Sequence, residues 1–270
     1  MRILFPVMLI FFIYLFLIRP RFKKPDASPF LHTFFAHRGL HDIENGIPEN
    51  SLPAFRLAME AGYGIELDVQ LSADGVPVVF HDATLSRMCA IDRRVDELSY
   101  DALQAFRLND TEERIPAFTE VLSLIGGKIP LLVEIKMDRF DMRIPEKIAL
   151  ALSSYSGPYC IESFHPAALW WYRKNRPDIL RGQLSTHFNV ENRTLSPAQY
   201  LLGKMILNLV SRPDFISYNW RFCKDISLFF CRKVFRAHAA GWVIRSEAEL
   251  QTCRKYFNMY IFESFLPRNP

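Results

Sequence analysis

From about residue 33 onward, short runs of apolar residues alternate with segments whose apolar positions recur at helical spacing. The runs are rich in Val, Ile, Phe and Tyr and have strand length. They predict strands over Thr33–Ala36, Ile65–Leu71, Val76–Phe80, Leu131–Ile135, Tyr159–Glu162, Ile179–Leu184, Phe215–Tyr218, Gly241–Ile244 and Met259–Phe262. Helices are predicted over Ser51–Ala61, Ala117–Leu124, Pro145–Leu152, Pro166–Arg173, Pro197–Val210, Asp225–Arg236 and Ser246–Lys255. Several of these open on a Ser or Asp cap or carry Pro in the first turn. Strand–helix alternation of this density implies parallel βα units.

One strand pair differs. Asp74-Gly75 separates two apolar-alternating runs, a two-residue hairpin signal. Such a turn would set Asp68 directly opposite His81. One face would carry Glu66, Asp68, Gln70, Val79 and His81, and the other Leu67, Val69, Leu71, Val78 and Phe80. Without this return strand eight strands remain, the number of a (β/α)8 barrel. The expected fold class is therefore α/β, a TIM-type barrel.

The N-terminal pattern is different again. Ile3 to Ile18 carries no charge. The stretch is short against the ~20 residues that cross a bilayer, but Tyr14 and the flanking arginines extend it. No small-residue cleavage site follows, which favours a retained transmembrane anchor over residues 1–20. Arg19, Arg21, Lys23 and Lys24 follow the anchor and place the remainder on the cytoplasmic side, with the opposite orientation left open. Pro25 and Pro29 mark residues 21–31 as a stiff linker.

Charge follows the same division. The net charge of +4 is carried by the first 30 residues, where five basic residues face Asp26 alone. The rest is neutral, so a nucleic-acid surface is not expected. Half of the 270 residues are apolar, enough for a large core. Five cysteines, Cys89, Cys160, Cys223, Cys231 and Cys253, fit neither a zinc site nor a disulfide framework. Neither a G-x-G-x-x-G loop nor a P-loop is present.

The candidate chemistry lies on the strands. Glu66 and Asp68 are two apart and share a face, as do Glu134 and Lys136. Carboxylates at barrel-strand ends are costly unless paired or bound to metal. Three together suggest a hard divalent cation such as Mg²⁺ or Ca²⁺; a salt-bridge cluster with Arg38 and Lys136 is the alternative. His37 and His81 fit a general acid and base. The other histidines lack such company. Arg38 suits bidentate phosphate binding and Lys136 a second phosphate oxygen. Glu49 and Asn50 either orient Arg38 or His37, or Asn50 caps the next helix.

The segments AHRG, PENS, ELDV-x₅-DG-x₄-FHD and VEIK, from about Phe34 to Lys136, resemble those of the glycerophosphodiester phosphodiesterase family. Further on, Glu162-Ser163-Phe164-His165-Pro166 and Gly241-Trp242-Val243 resemble it more loosely. The resemblance implies a TIM-type barrel over residues 32–270 with its site at the strands' C-terminal ends. It implies Glu66, Asp68 and Glu134 as metal ligands, His37 and His81 as the acid/base pair, and Arg38 and Lys136 as phosphate ligands. Residues 82–116 would be an insertion closing over the site, and Trp242 a candidate substrate rim. The chain departs where the family usually closes with a Thr-Asp-x-Pro turn: it reads Glu263-Ser264-Phe265-Leu266-Pro267, expected at the pocket rim.

The expected function is metal-dependent hydrolysis of glycerophosphodiesters to an alcohol and glycerol 3-phosphate. One alternative is lysophospholipase D-like cleavage of lipid phosphodiesters, with Pro197–Val210 either touching the membrane or packed as a barrel helix. Another is an inactive, membrane-anchored binding protein. The sequence leaves the oligomeric state and the headgroup open.

Overall fold

The computed structural model describes residues 4–188 and 196–268. Its centre is a closed ring of eight parallel strands: β1 (Phe34–His37), β2 (Gly64–Leu71), β4 (Leu131–Ile135), β5 (Tyr159–Ser163), β6 (Arg181–Ser185), β7 (Phe215–Asn219), β8 (His238–Ile244) and β9 (Met259–Phe262). β1 closes the ring by pairing with both β2 and β9. Helices α2 (Leu52–Glu60), α5 (Phe118–Ile125), α6 (Arg143–Ala151), α7 (Pro166–Asn175) and α11 (Glu247–Cys253) cover the outside. The TIM-type expectation holds, and most predicted strands fall within a few residues of the observed ones.

The hairpin is present but its register differs from the expected one. β3 (Pro77–Val79) pairs antiparallel with the second half of β2, through Val69↔Val79, Gln70↔Val78 and Leu71↔Pro77. β1 pairs only with the first half of β2, which leaves that edge free. The turn contains three residues, Ala73, Asp74 and Gly75, with Gly75 at φ 80. Ser72 N donates to Val76 O at 3.0 Å, and Ser72 Oγ accepts from Val76 N at 3.0 Å. A three-residue loop with a left-handed third position displaces the pairing by one residue. Asp68 O therefore accepts from Phe80 N at 3.0 Å, and His81 lies beyond the strand rather than opposite Asp68.

Outward-facing strand residues such as Ile65, Leu67, Val69, Val133 and Ile161 pack against the helices in one large core. A smaller cluster, including Phe35, Leu132, Cys160, Phe215 and Ile261, is joined by Ala27 and Phe30. Gly182 permits it: a Cβ there would lie 2.1 Å from the Phe215 ring. Part of the expected linker over 21–31 thus packs onto the barrel. Arg21 N donates to Pro213 O at 2.9 Å, and Ala27 and Phe30 are buried.

Residues 82–116 hold α3 (Ser86–Cys89) and α4 (Tyr100–Leu103), and several of their apolar side chains pack with Val78 and Phe80. The single helix expected over Pro197–Val210 is broken into α8 (Pro197–Gly203) and α9 (Asn208–Ser211). Met205 between them is fully buried at φ 58. Asp225–Arg236 is likewise shortened to α10 (Ile226–Phe229) followed by a π-turn over Phe230–Val234.

The N-terminal helix α1 (Leu4–Ile18) has 15 residues. At 1.5 Å per residue it rises about 22 Å, short of the ~30 Å hydrocarbon core. No described helix is long and apolar enough to cross a membrane, so the transmembrane span expected over residues 1–20 does not appear among the described residues. Instead the end of α1 docks on the barrel. Tyr14 Oη donates to Ser227 Oγ at 2.7 Å, and Asn208 Nδ2 donates to Ile18 O at 2.9 Å.

Candidate active site

The site is assembled at the C-terminal ends of β1, β2 and β4. β1 ends in a turn, Ala36-His37-Arg38-Gly39, with Arg38 at φ 57 and Gly39 at φ 82. A Cβ at Gly39 would sit 2.8 Å from the Ala54 carbonyl carbon, so glycine is required by both conformation and space. The turn points the Arg38 backbone N–H at Glu66 Oε2, 3.1 Å away.

Glu66, Asp68 and Glu134 are buried, and carboxylate oxygens from all three lie within 4.8 Å of one another. The parallel register puts Asp68 beside Glu134 and Glu134 beside Glu162. Arg38 Nε approaches Asp68 Oδ2 at 3.3 Å. Lys136 Nζ lies 2.8 Å from Glu134 Oε1 and 3.4 Å from Asp68 Oδ1. The two basic groups expected on phosphate thus stand against the same carboxylates.

Charge counting tests the fit to a cation. Glu66, Asp68, Glu134 and Glu162 are all buried, and among the described residues Arg38 and Lys136 are the Lys and Arg side chains paired with this group. Two basic groups leave two carboxylates uncompensated, as a divalent cation with oxygen ligands would require. Asp68 Oδ1 is buried without a hydrogen bond, its ion-pair neighbour being Lys136 Nζ at 3.4 Å, and so it has capacity for such a cation. The protonation tendencies agree. Burial, then the neighbouring Asp68 and Glu134, push the Glu66 carboxyl well above the usual range. Burial also raises Asp68, but Lys136, His81 and Arg38 outweigh it and hold that carboxyl well below the usual range. Burial and Glu134 push Glu162 far up. The residues present fit a hard divalent cation.

His37 lies beside this group, its Nε2 4.0 Å from Glu66 Oε2. Its Nδ1 is held by the Glu263 carboxylate, and Arg245 holds that carboxylate in turn, Nε to Oε1 at 2.7 Å. Burial lowers the His37 pKa, and Glu263 opposes that shift. Glu263 itself is held down to about 2: burial raises it, but His37 and Arg245 outweigh burial. Glu263 was expected at the pocket rim; here it orients a proton-carrying candidate.

His81 Nδ1 meets Asp82 Oδ1 at 2.6 Å. Asp82 Oδ2 accepts from Arg87 Nε at 2.7 Å, and Arg87 reaches Glu49 with two N–H groups, at 2.6 and 3.1 Å. Glu49 Oε1 also accepts from Arg38 at 2.7 Å. One run of ion pairs therefore joins His81 to Arg38 through Arg87 of α3. Asn50 Nδ2 donates to Asp68 Oδ2 at 2.9 Å, while Ser51 caps α2. Ser51 rather than Asn50 is the cap; the Asn50 side chain bonds Asp68, while its backbone N–H donates to Arg38 O at 2.9 Å.

A cavity of about 1070 Å³ opens beside the site and shares His81, Glu134 and Lys136 with it. Besides these polar groups, Phe140, Phe164, Phe188, Leu202 and Leu207 give its wall an apolar component. Trp242, the candidate rim residue, does not line it and packs edge-on against Phe164, ring centroids 5.9 Å apart.

The model of the glycerophosphoryl diester phosphodiesterase family matches residues 37–246. The chain belongs to this family. A glycerophosphodiester phosphodiesterase from Caldanaerobacter subterraneus subsp. tengcongensis is 37% identical over 161 residues, covering 55% of this chain and 65% of that protein. One from Bacillus altitudinis is 32% identical over 157 residues, covering 54% of this chain and 63% of its own length. The chain thus spans somewhat less than two thirds of these relatives. Among solved structures, an Oleispira antarctica phosphodiesterase in complex with the product sn-glycerol-3-phosphate superposes with a TM-score of 0.71 at 24% identity, covering 88% of this chain and 94% of that one. A glycerophosphodiester phosphodiesterase from Thermotoga maritima gives 0.65 at 22%, covering 85% and 93%. At such identities the superpositions speak to the fold.

Sequence reasoning does not assign three members to the constellation. Glu162 ends a predicted strand and opens the Glu162–Pro166 stretch that resembles the family, without being assigned to the acidic group; a lone carboxylate after Cys160-Ile161 at a barrel-strand end is its signal. Arg87 and Glu263 had no local signal, because their partners come from other loops.

Proposed function

We propose that this protein hydrolyses glycerophosphodiesters to glycerol 3-phosphate and an alcohol. The observation that carries the reading is the group of Glu66, Asp68 and Glu134, within 4.8 Å of one another and flanked by His37, Arg38 and Lys136. These three carboxylates would hold the divalent cation, Mg²⁺ or Ca²⁺. When bound, it would supply Lewis-acid neutralisation of a phosphoryl oxygen.

The chain's own groups do the rest. Arg38 and Lys136 bind the other phosphate oxygens, where negative charge builds in the transition state. Either a hydroxyl of the glycerol attacks phosphorus as the bond to the alcohol oxygen breaks, giving a cyclic phosphate that water then opens to glycerol 3-phosphate, or water attacks directly. One histidine takes the attacking proton and the other gives a proton to the leaving oxygen. Glu263 holds His37, and Asp82 holds His81, each through Nδ1. In both rings Nε2 is then the nitrogen left for substrate. This complete set counts against the inactive-binder reading.

The apolar component of the cavity wall favours a second substrate, a lysophospholipid whose acyl chain would lie along Phe140, Phe164 and Leu207. We further propose that the protein works at a membrane, on its cytoplasmic side, seated by the apolar α1 with Arg19, Arg21, Lys23 and Lys24 beside it.

The test compares glycerophosphocholine with lysophosphatidylcholine as substrates of the purified full chain, with products identified by mass. Glycerol 3-phosphate from the first supports the primary reading, and lysophosphatidic acid from the second supports the other. Neither product, at any divalent cation concentration, would overturn the proposal.

A further inference from the structure

We propose that α1 and the barrel face built by α8, α9, α10 and the following π-turn form one docking surface for an anionic lipid bilayer. The inference rests on the membrane location proposed above and adds which side of the barrel meets the lipid.

Three observations carry it. First, α1 is apolar around its whole circumference: Phe5, Ile10 and Phe12 are 74%, 66% and 58% exposed. Second, the barrel continues this surface. Phe11 packs on Phe230 with ring centroids 5.6 Å apart, and Tyr14 is hydrogen-bonded to Ser227, so α1 is fixed to α10 and the π-turn. On those same elements Ile226, Phe229 and Val234 remain half exposed or more. Isolated exposed apolar residues are ordinary, but a contiguous set beside an apolar helix marks an interaction surface.

Third, the charge around this surface has one sign. Residues 196–236 contain seven Lys or Arg and two acids, Asp214 and Asp225. Both carboxylates are buried, Asp214 beside Arg181 and Asp225 on His187. At the end of α1, Arg19 lies over the Phe16 and Phe22 rings, within 5.5 Å of the centroids, while the largely buried Arg212 lies over Phe16 and donates to Phe16 O and Arg19 O, fixing the helix end. An arginine on aromatic rings beside an apolar helix is suited to the headgroup layer. A protein partner would have to enclose α1 on every exposed side; a bilayer does so by nature. The anionic leaflet complements the basic residues.

The placement has a functional consequence. Leu202 of α8 and Leu207, which precedes α9, belong to the apolar component of the wall of the cavity beside the site. The segment that would rest on lipid is therefore also a wall of the cavity, giving a short route between bilayer and site.

The full chain, purified in detergent, would be floated with phosphatidylcholine vesicles with and without phosphatidylglycerol. Vesicles containing brominated acyl chains would then quench a tryptophan placed on the surface by Phe229→Trp. Leu150→Trp, at an exposed position of α6 three βα units further round the barrel, is the reference. The expected result is flotation strengthened by phosphatidylglycerol and several-fold stronger quenching of the Phe229→Trp signal than of the reference. The pair Arg232→Glu and Lys233→Glu should cut flotation on anionic vesicles about tenfold, as loss of two basic contacts with lipid implies. Circular dichroism melts check that each variant folds. Flotation with equal quenching at the two positions, or charge reversal without effect, would overturn the docking face and leave the membrane location standing. A chain that stays off vesicles overturns both; elution as a dimer would then assign the face to a second copy.

Discussion

Replacing Glu263 with glutamine isolates the least expected part of the site. The substitution keeps the shape of the side chain but removes the carboxylate on His37 Nδ1, while Arg245 remains to hold the amide. Glu263 sits at about 2, so it is ionised throughout the neutral range and stabilises the imidazolium form of His37. A hydrogen bond to a charged group contributes about 1.5–3 kcal/mol. Burial already lowers the His37 pKa, so removing the Glu263 carboxylate that opposes that shift should lower it further. Whether His37 serves as base or acid, the limb of the pH–rate profile that belongs to it moves toward acid. The lost orientation should also reduce kcat by about 10–10²-fold, within the range that acid–base catalysis supplies. The assay is kcat and kcat/KM for glycerophosphocholine against pH, for wild type and variant side by side, with thermal melts to show folding. Unmoved limbs with an unchanged kcat would refute the claim that Glu263 sets the state of His37.

Further expectations concern the cation, Arg87, the turn and acid stability. Glu134→Gln should weaken Ca²⁺ or Mg²⁺ binding measured by calorimetry at least about tenfold; unchanged affinity would remove Glu134 from the ligand set. Arg87→Ala breaks the link between Asp82 and Glu49 and should lower kcat/KM about tenfold, with Arg87→Lys recovering only part because a lysine lacks the fork; a wild-type rate would make the link incidental. Gly39→Ala combines a positive φ with a 2.8 Å clash and should cost about 2–4 kcal/mol in urea denaturation; a near-neutral effect would mean that the turn can relax. Glu263 has a folded-state pKa below its ordinary value of 4.5, so it contributes stability that is present above 4.5 and lost as pH falls toward about 2. Glu263→Gln should therefore make stability less dependent on pH in that window, and an unaltered acid transition would contradict the ion pair.

Much of this was legible in the chain because the informative residues are close in sequence. The turn after β1, the loop before α2 and the alternating carboxylates of β2 and β4 each follow from local spacing. The hairpin was legible as a hairpin but not in register: a serine hydroxyl, Ser72 Oγ, favours a three-residue turn over the two-residue turn that Asp-Gly suggests. That one-residue difference moves His81 off the strand ladder while leaving it in the cavity. Glu263 is separated from His37 by 226 positions and meets it only because β9 closes the ring onto β1. Glu162 becomes a neighbour of Glu134 only through the β4–β5 register. The break in the helix after Pro197 depends on burying Met205 against Cys231, a tertiary demand that overrides local helical propensity.

The decisive experiment is the rate at which the full chain releases glycerol 3-phosphate from glycerophosphocholine after chelation, and again after Mg²⁺ or Ca²⁺ is restored. If Glu66, Asp68 and Glu134 hold a cation that serves the phosphate, chelation should abolish release and one of the two ions should restore it. Equal rates with and without chelator would contradict a metal-dependent site built on these carboxylates.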